Sequence, residues 1–208
     1  MKINKVFENN KEWVKSHLNV DDKYFENLAK GQSPEILYIG CSDSRVTAES
    51  MMGANPGEVF VLRNIANTVS NLDLSALSVI NYAVDHLKVK HIVVCGHYSC
   101  GGVKAAMTAA DLGTLNPWLR NIRDVYRLNA EELDAITDED KRYDRLVELN
   151  VVENAINTMK TPEVQAAMKR GEIEVHGWVF DIKTGTIIDL KVDFKKVFDK
   201  VENIYDLG

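Results

Sequence analysis

No stretch of this chain approaches the ~18 consecutive apolar residues needed to cross a bilayer. Its amino-terminal segment, MKINKVFENNKEWVKSH, also lacks the apolar run of a secretory signal. Basic residues are the minority charge, 25 against 31 acidic, giving a net charge of −6. No basic stretch is interleaved with aromatics, which argues against nucleic acid as a partner, since phosphate binding needs a basic surface. Cysteine is scarce: Cys41, Cys95 and Cys100 are the only three in 208 residues. An odd, small number in a chain without a signal describes no disulfide framework, so metal binding or catalysis becomes the question. Internal repeats, low-complexity segments and domain-boundary signals are missing as well. These absences predict a soluble, cytoplasmic protein of one domain over 1–208, with neither membrane nor nucleic acid as a partner.

What is present points to an α/β fold. Hydrophobic residues make up 45% of the chain, enough for one sizeable core. Val6, Phe7, Trp13, Val14, Leu18, Phe25 and Leu28 recur at roughly helical intervals, predicting one or two amphipathic helices in an arm over 1–31. GQSP then breaks the pattern before a core over 35–208. ILYIG (36–40), EVFVLRN (58–64) and HIVVCG (91–96) read as short buried strands. Leu77, Ile80, Val84 and Leu87 define one face of a helix over 72–87. Further helices are predicted over 100–110, 117–129 and 142–160, with AEELDAITDEDK (130–141) as a solvated acidic connection. EIEVHGWVFDI and TIIDLKV, separated by KTG, read as a hairpin, and VDFKKVFDKVENI as a last helix. The expected architecture is a mostly parallel central sheet flanked by helices, with the C-terminal β-hairpin adding to the sheet and an N-terminal helical arm.

Ligands of a parallel α/β sheet bind beyond the carboxyl ends of its strands. CSDSRV (41–46) follows the first apolar run and GHYSCGG (96–102) follows the third. Cys41 and Asp43 share a face if the extended chain continues past Gly40. His97 and Cys100 are three apart at a strand-to-helix junction, where one helical turn brings them together. Two thiols, an imidazole and a carboxylate are zinc-type ligands. Cys95, inside HIVVC, reads as a core thiol. His86, His91 and His176 have no partner motif and read as surface or satisfied buried histidines, and His17 carries no signal.

Taken together, these stretches make the chain resemble the β-class carbonic anhydrases. The resemblance rests on CSDSRV (41–46), PGEVFVLRNIAN (56–67), LSVINYAVDHL (77–87), HIVVCGHYSCGG (91–102) and HGW (176–178). It implies reversible hydration of carbon dioxide to bicarbonate at one Zn2+ per chain, with Cys41, His97 and Cys100 as ligands. It gives Asp43 a choice of two partners. On the metal, Asp43 closes the site. On Arg45, through a bidentate charge-assisted pair, it leaves a coordination position for the attacking hydroxide and orients it. The resemblance also places Phe60, Ile65 and Tyr82 around a narrow apolar pocket, with Gln32 and the amides of Gly101 and Gly102 near bicarbonate. Family sites lie at the interface of a homodimer or a dimer of dimers. Two thiolates donate more electron density than imidazoles, so bound water should ionise above the value of about 7 found at an all-histidine zinc. Activity is therefore expected to rise through the alkaline range.

The match has a departure. One subtype, the one with an aspartate-bound resting state, carries an inhibitory bicarbonate pocket lined by a tryptophan, an arginine and a tyrosine. Here these positions are Tyr38, Arg63 and Phe180, and weak or absent bicarbonate inhibition is expected. Two rival readings stand beside the leading one: a carbonyl sulfide or carbon disulfide hydrolase on the same fold, and a non-catalytic zinc protein. Asp43 and Arg45 argue against the latter, because a purely structural site needs no competitor for its fourth ligand.

Overall fold

A computed structural model describes residues 2–204, 206 and 207. Met1, Tyr205 and Gly208, which fall in the expected 1–31 arm and 35–208 core, lie outside the described residues. The chain divides into two compact units, Met1–Ser33 and Pro34–Gly208.

The first unit holds α1 (Val6–Leu18), preceded by a 3-10 turn, and α2 (Tyr24–Leu28). His17 joins them: its ring lies 4.5 Å from that of Trp13 and 4.6 Å from that of Tyr24, and its Nδ1 is 2.8 Å from the Trp13 carbonyl. None of the described residues of this unit is buried, and Phe7 is 78% exposed. A segment this short cannot bury enough apolar surface to form a core of its own.

The second unit alternates strand and helix. Its strands are β1 (Ile36–Cys41), β2 (Val59–Asn64), β3 (His91–His97), β4 (Glu174–Asp181) and β5 (Thr186–Asp189). Its helices are α3 (Ala48–Met52), α4 (Leu74–Asn81), α5 (Gly101–Ala106), α6 (Asn116–Leu128), α7 (Ala130–Ala135), α8 (Glu139–Met159), α9 (Pro162–Lys169) and α10 (Phe194–Glu202). The sheet order is β2-β1-β3-β4-β5, parallel except for β5, which forms a hairpin with β4. Alternation splits the strand side chains between two cores. Leu37, Ile39, Ile92, Val94, Val175 and Val179 join the larger one, with Val147, Val151 and Ala155 of α8. Tyr38, Val93 and Cys95 form the smaller one, with Trp178 and Phe180 packed against it.

Helices form in places where the sequence suggests none. The acidic connection contains α7, because Leu133 is fully buried and Glu132 pairs with Arg145 at 2.5 Å. α8 starts earlier than expected, capped by the Asp138 carboxylate, which accepts from the Lys141 amide at 3.1 Å. α9 carries a legible but overlooked signal, Thr161-Pro162, with proline in the first turn. β5 ends at Asp189 rather than Val192, because Lys191 turns out of the strand at φ 52°.

Gly40 has a steric role. The Tyr38 ring lies over it so closely that a Cβ would overlap the ring and its hydroxyl. Tyr38 is 1% exposed and has nowhere to swing. Gly40→Ala is expected to cost about 1–3 kcal/mol through overpacking, lowering Tm by about 2–4 °C for each kcal/mol. Calorimetry checks this; an unchanged transition would mean that Tyr38 repacks freely.

Candidate metal centre and active site

Parallel pairing of β1 with β3 puts Gly40 opposite Cys95, so Cys41 emerges beside His97 at the carboxyl end of both strands. The chain leaves β3 through a turn with Ser99 at φ 60°, and Cys100 becomes the N-cap of α5. These backbone paths bring the Cys41 and Cys100 sulfurs to 3.9 Å. The ligand atoms of Cys41, His97 and Cys100 all lie within 4.8 Å of one another, and all three residues are buried. His97 Nδ1 is 3.0 Å from the Tyr98 carbonyl, so the neutral ring that donates there points an unprotonated Nε2 into the cluster. That Nε2 is buried and makes no hydrogen bond of normal geometry among the described residues.

The cluster fits zinc. Tetrahedral bonds of about 2.3 Å set two thiolates about 3.8 Å apart, close to the spacing seen here. The orphaned Nε2 supplies the third donor that such an ion takes. Electrostatics agree. Cys41 is drawn down, chiefly by its hydrogen bond with Cys100 and against the cost of burial, with further help from His97 and the Ala66 amide. Cys100 is pushed up, chiefly by that same contact with Cys41. The pair takes one negative charge readily and resists a second. A cation between the sulfurs removes that resistance.

Three of the four expected groups converge, and the fourth is held elsewhere. Asp43 receives Arg45 Nε at 2.9 Å on Oδ1 and Nη2 at 2.7 Å on Oδ2, with the Arg45 amide adding a bond at 3.0 Å. Its Oδ2 remains 3.8 Å from His97 Nε2. Arg45 holds the Asp43 carboxyl well below the usual carboxylate range. Arg45 also donates to the Ser99 carbonyl at 3.3 Å, tying CSDSRV to the second motif.

Several supports have no local sequence signal. Ala66 and Asn67 lie in the left-handed region, at φ 60° and 47°. Non-glycine residues are held there only when the surroundings over-determine them. Asn150 donates to the Ala66 carbonyl at 2.9 Å, and Asn154 accepts from the Val69 amide at 2.6 Å, both from buried positions on α8. The strained turn aims the Ala66 amide at Cys41. Tyr143, also on α8, donates to the Cys100 carbonyl at 2.5 Å. Arg63 donates to the carbonyls of Cys41, Asp43 and Val46 at 2.9, 2.6 and 2.7 Å. Its guanidinium thus braces the first motif. Tyr38 is buried, which raises its phenol, with the neighbouring Cys95 adding to the shift. Cys95 is pushed up to about 12 by burial and is an inert core thiol.

The expected pocket residues form two contacts. The Phe60 and Tyr82 rings lie 5.8 Å apart. Ile65 lies against Gly102, where a Cβ would come within 2.7 Å of its Cγ2, and Trp118 Nε1 donates to the Ile65 carbonyl at 2.9 Å. Ile65 and Tyr82 are 39% and 46% exposed. Gly101 opens α5, and Gln32 is exposed in the first unit.

An open α/β sheet carries a buried Cys-His-Cys cluster of metal-ligating type at its carboxyl end, beside an ion-paired aspartate. Comparison with known proteins narrows the class. Residues 36–187 match the family model described as carbonic anhydrase. A carbonic anhydrase of Emericella nidulans is 59% identical over 98% of this chain and 90% of its own length. The β-carbonic anhydrase CafA of Aspergillus fumigatus superposes with a TM-score of 0.91 at 38% identity, covering 99% of both chains. One of two β-carbonic anhydrases of Sordaria macrospora, described as tetrameric, superposes with a TM-score of 0.87 at 44% identity over 91% of this chain and 96% of its own. The chain belongs to the β-class carbonic anhydrase family.

Proposed function

We propose that this chain catalyses the reversible hydration of carbon dioxide to bicarbonate and a proton, using one zinc ion per chain held by Cys41, His97 and Cys100. The carrying observation is the convergence of the buried His97 Nε2, without a hydrogen bond among the described residues, on two sulfurs 3.9 Å apart. Zinc, when bound, supplies a Lewis acid that lowers the pKa of water into the working range. The remaining tasks belong to the chain. Arg45 pairs with both oxygens of Asp43 and keeps it ionised, so Asp43 would not serve as a fourth ligand to zinc held by the other three residues. Asp43 accepts a hydrogen bond from the attacking water and orients it toward the carbon of carbon dioxide. Phe60, Ile65 and Tyr82 supply an apolar wall for an apolar substrate. The amides of Gly101 and Gly102 receive the bicarbonate oxygens. Small residues there let the backbone approach the product.

The exposed Ile65 and Tyr82 and the coreless first unit support a homodimer or dimer of dimers, in which a neighbouring copy completes the pocket. No helix among the described residues is long and apolar enough to cross a membrane. We place the reaction in the cytoplasm. Stopped-flow hydration by the zinc-loaded chain tests the reading. kcat should climb between about pH 6 and about pH 9, because two thiolates weaken the acidity of the bound water. A flat profile with full activity at the acid end contradicts the mechanism, and no hydration with zinc bound contradicts the function.

A further inference from the structure

Among the described residues, one other group of metal-ligating side chains converges: His91, Glu174 and His176. It lies at the opposite end of the sheet from the cysteines. His91 opens β3 and Glu174 opens β4, and the parallel register sets them side by side. His176 follows Glu174 by two residues and so shares its face. Six residues of strand, at about 3.3 Å each, separate His91 from His97, so the two clusters are about 20 Å apart and share no ligand.

We propose that His91, Glu174 and His176 form a second binding site, for a divalent cation of the zinc class, distinct from the cysteine site. His91 Nδ1 and His176 Nε2 are 3.1 Å apart and share a hydrogen bond, so one ring gives up that proton when a cation takes its place. Two imidazoles on one tetrahedral cation, with bonds of about 2.0–2.1 Å, have their nitrogens about 3.3 Å apart. A Glu174 oxygen faces both nitrogens at 3.8 and 3.9 Å. These distances are too long for hydrogen bonds, yet a shift of about half an ångström brings the carboxylate to ligand spacing. Glu174 is free to make that shift, since its side chain is 73% exposed. The rings are less free. His176 lies between His91 and Trp178, with centroids 5.2 and 5.9 Å away, and its side chain is 30% exposed. Two pre-positioned imidazoles and one mobile carboxylate leave a coordination position toward solvent. Imidazole and carboxylate together suit zinc, nickel or copper better than calcium or magnesium. A cation bound across the first residues of β3 and β4 links two adjacent strands and favours the folded chain.

Equilibrium dialysis of the full-length chain against micromolar zinc chloride, with bound metal counted by mass spectrometry, tests this. The wild type should bind two zinc ions per chain. His91→Gln/His176→Gln should bind one and keep its carbon dioxide hydration. Glu174→Gln, at an exposed position, should bind the second ion about tenfold or more weakly, and it carries the test if the double variant does not fold. In parallel, Cys41→Ser should lose the other ion and keep this one, so failure of the cysteine site is distinguishable from failure of this one. Saturation of the wild type at one ion, loss of both ions in a folded Cys41→Ser, or two ions still bound by a folded double variant, overturns the proposal.

Discussion

Replacing Cys41 with serine is expected to reduce bound zinc from about one ion per chain at the cysteine site to almost none there, and to bring carbon dioxide hydration down to the uncatalysed rate. The hydrogen bond between Cys41 and Cys100 draws one of the two thiols down, so the pair readily carries one negative charge. A serine hydroxyl stays protonated and is a poor ligand for zinc beside a thiolate. The substitution removes one of the three donors of the cluster and leaves His97 Nε2 and the Cys100 sulfur as the other two. The change in volume is small, so the fold should persist, and calorimetry alongside the metal count separates loss of metal from loss of structure. Full activity with zinc still bound would remove Cys41 from the site.

Asp43→Asn is expected to lower kcat by about 10²–10⁴-fold while zinc content and Tm stay close to wild type. Asparagine keeps the shape of the side chain but carries no charge, so the bidentate pair with Arg45 loses its charge assistance. It also presents an amide where the attacking water needs an acceptor. Arg45→Ala attacks the same device from the other side. It frees the Asp43 carboxylate, whose Oδ2 already lies 3.8 Å from His97 Nε2, to compete for the open position. Activity should fall there too, with zinc retained. Stopped-flow kinetics and metal analysis on both variants decide the matter. Unchanged turnover in either, with metal bound, would leave the dyad without a catalytic part.

The two motifs were legible because their chemistry is local. CSDSRV and GHYSCGG each follow a short apolar run, and a parallel sheet gathers strand ends at one edge. β1 and β3 were legible for the same reason, as short apolar runs that only a doubly covered sheet can bury, whereas β2, read as a buried strand, lies at the edge of the sheet and is mostly half-buried. α7 was not legible: its composition is that of a solvated loop, and one buried leucine with a distant arginine makes it a helix. Tyr143, Asn150 and Asn154 were not legible either. Their partners lie 43 to 85 residues away, and no periodicity reports such a contact.

By itself, then, the sequence determined which chemical groups are available and at which edge of the sheet they emerge. Soft sulfur donors, one imidazole and an aspartate two residues from an arginine follow from residue type and spacing alone. Tertiary structure decided which of them meet. The register between β1 and β3 sets Cys41 beside His97, and the turn after β3 returns Cys100 to both. The same kind of long-range register joins His91 to His176, two histidines that carry no signal as a sequence pair. Side-chain pairing across a parallel sheet depends on how strands are aligned, and that alignment is set by burial of the whole core rather than by any residue near the site.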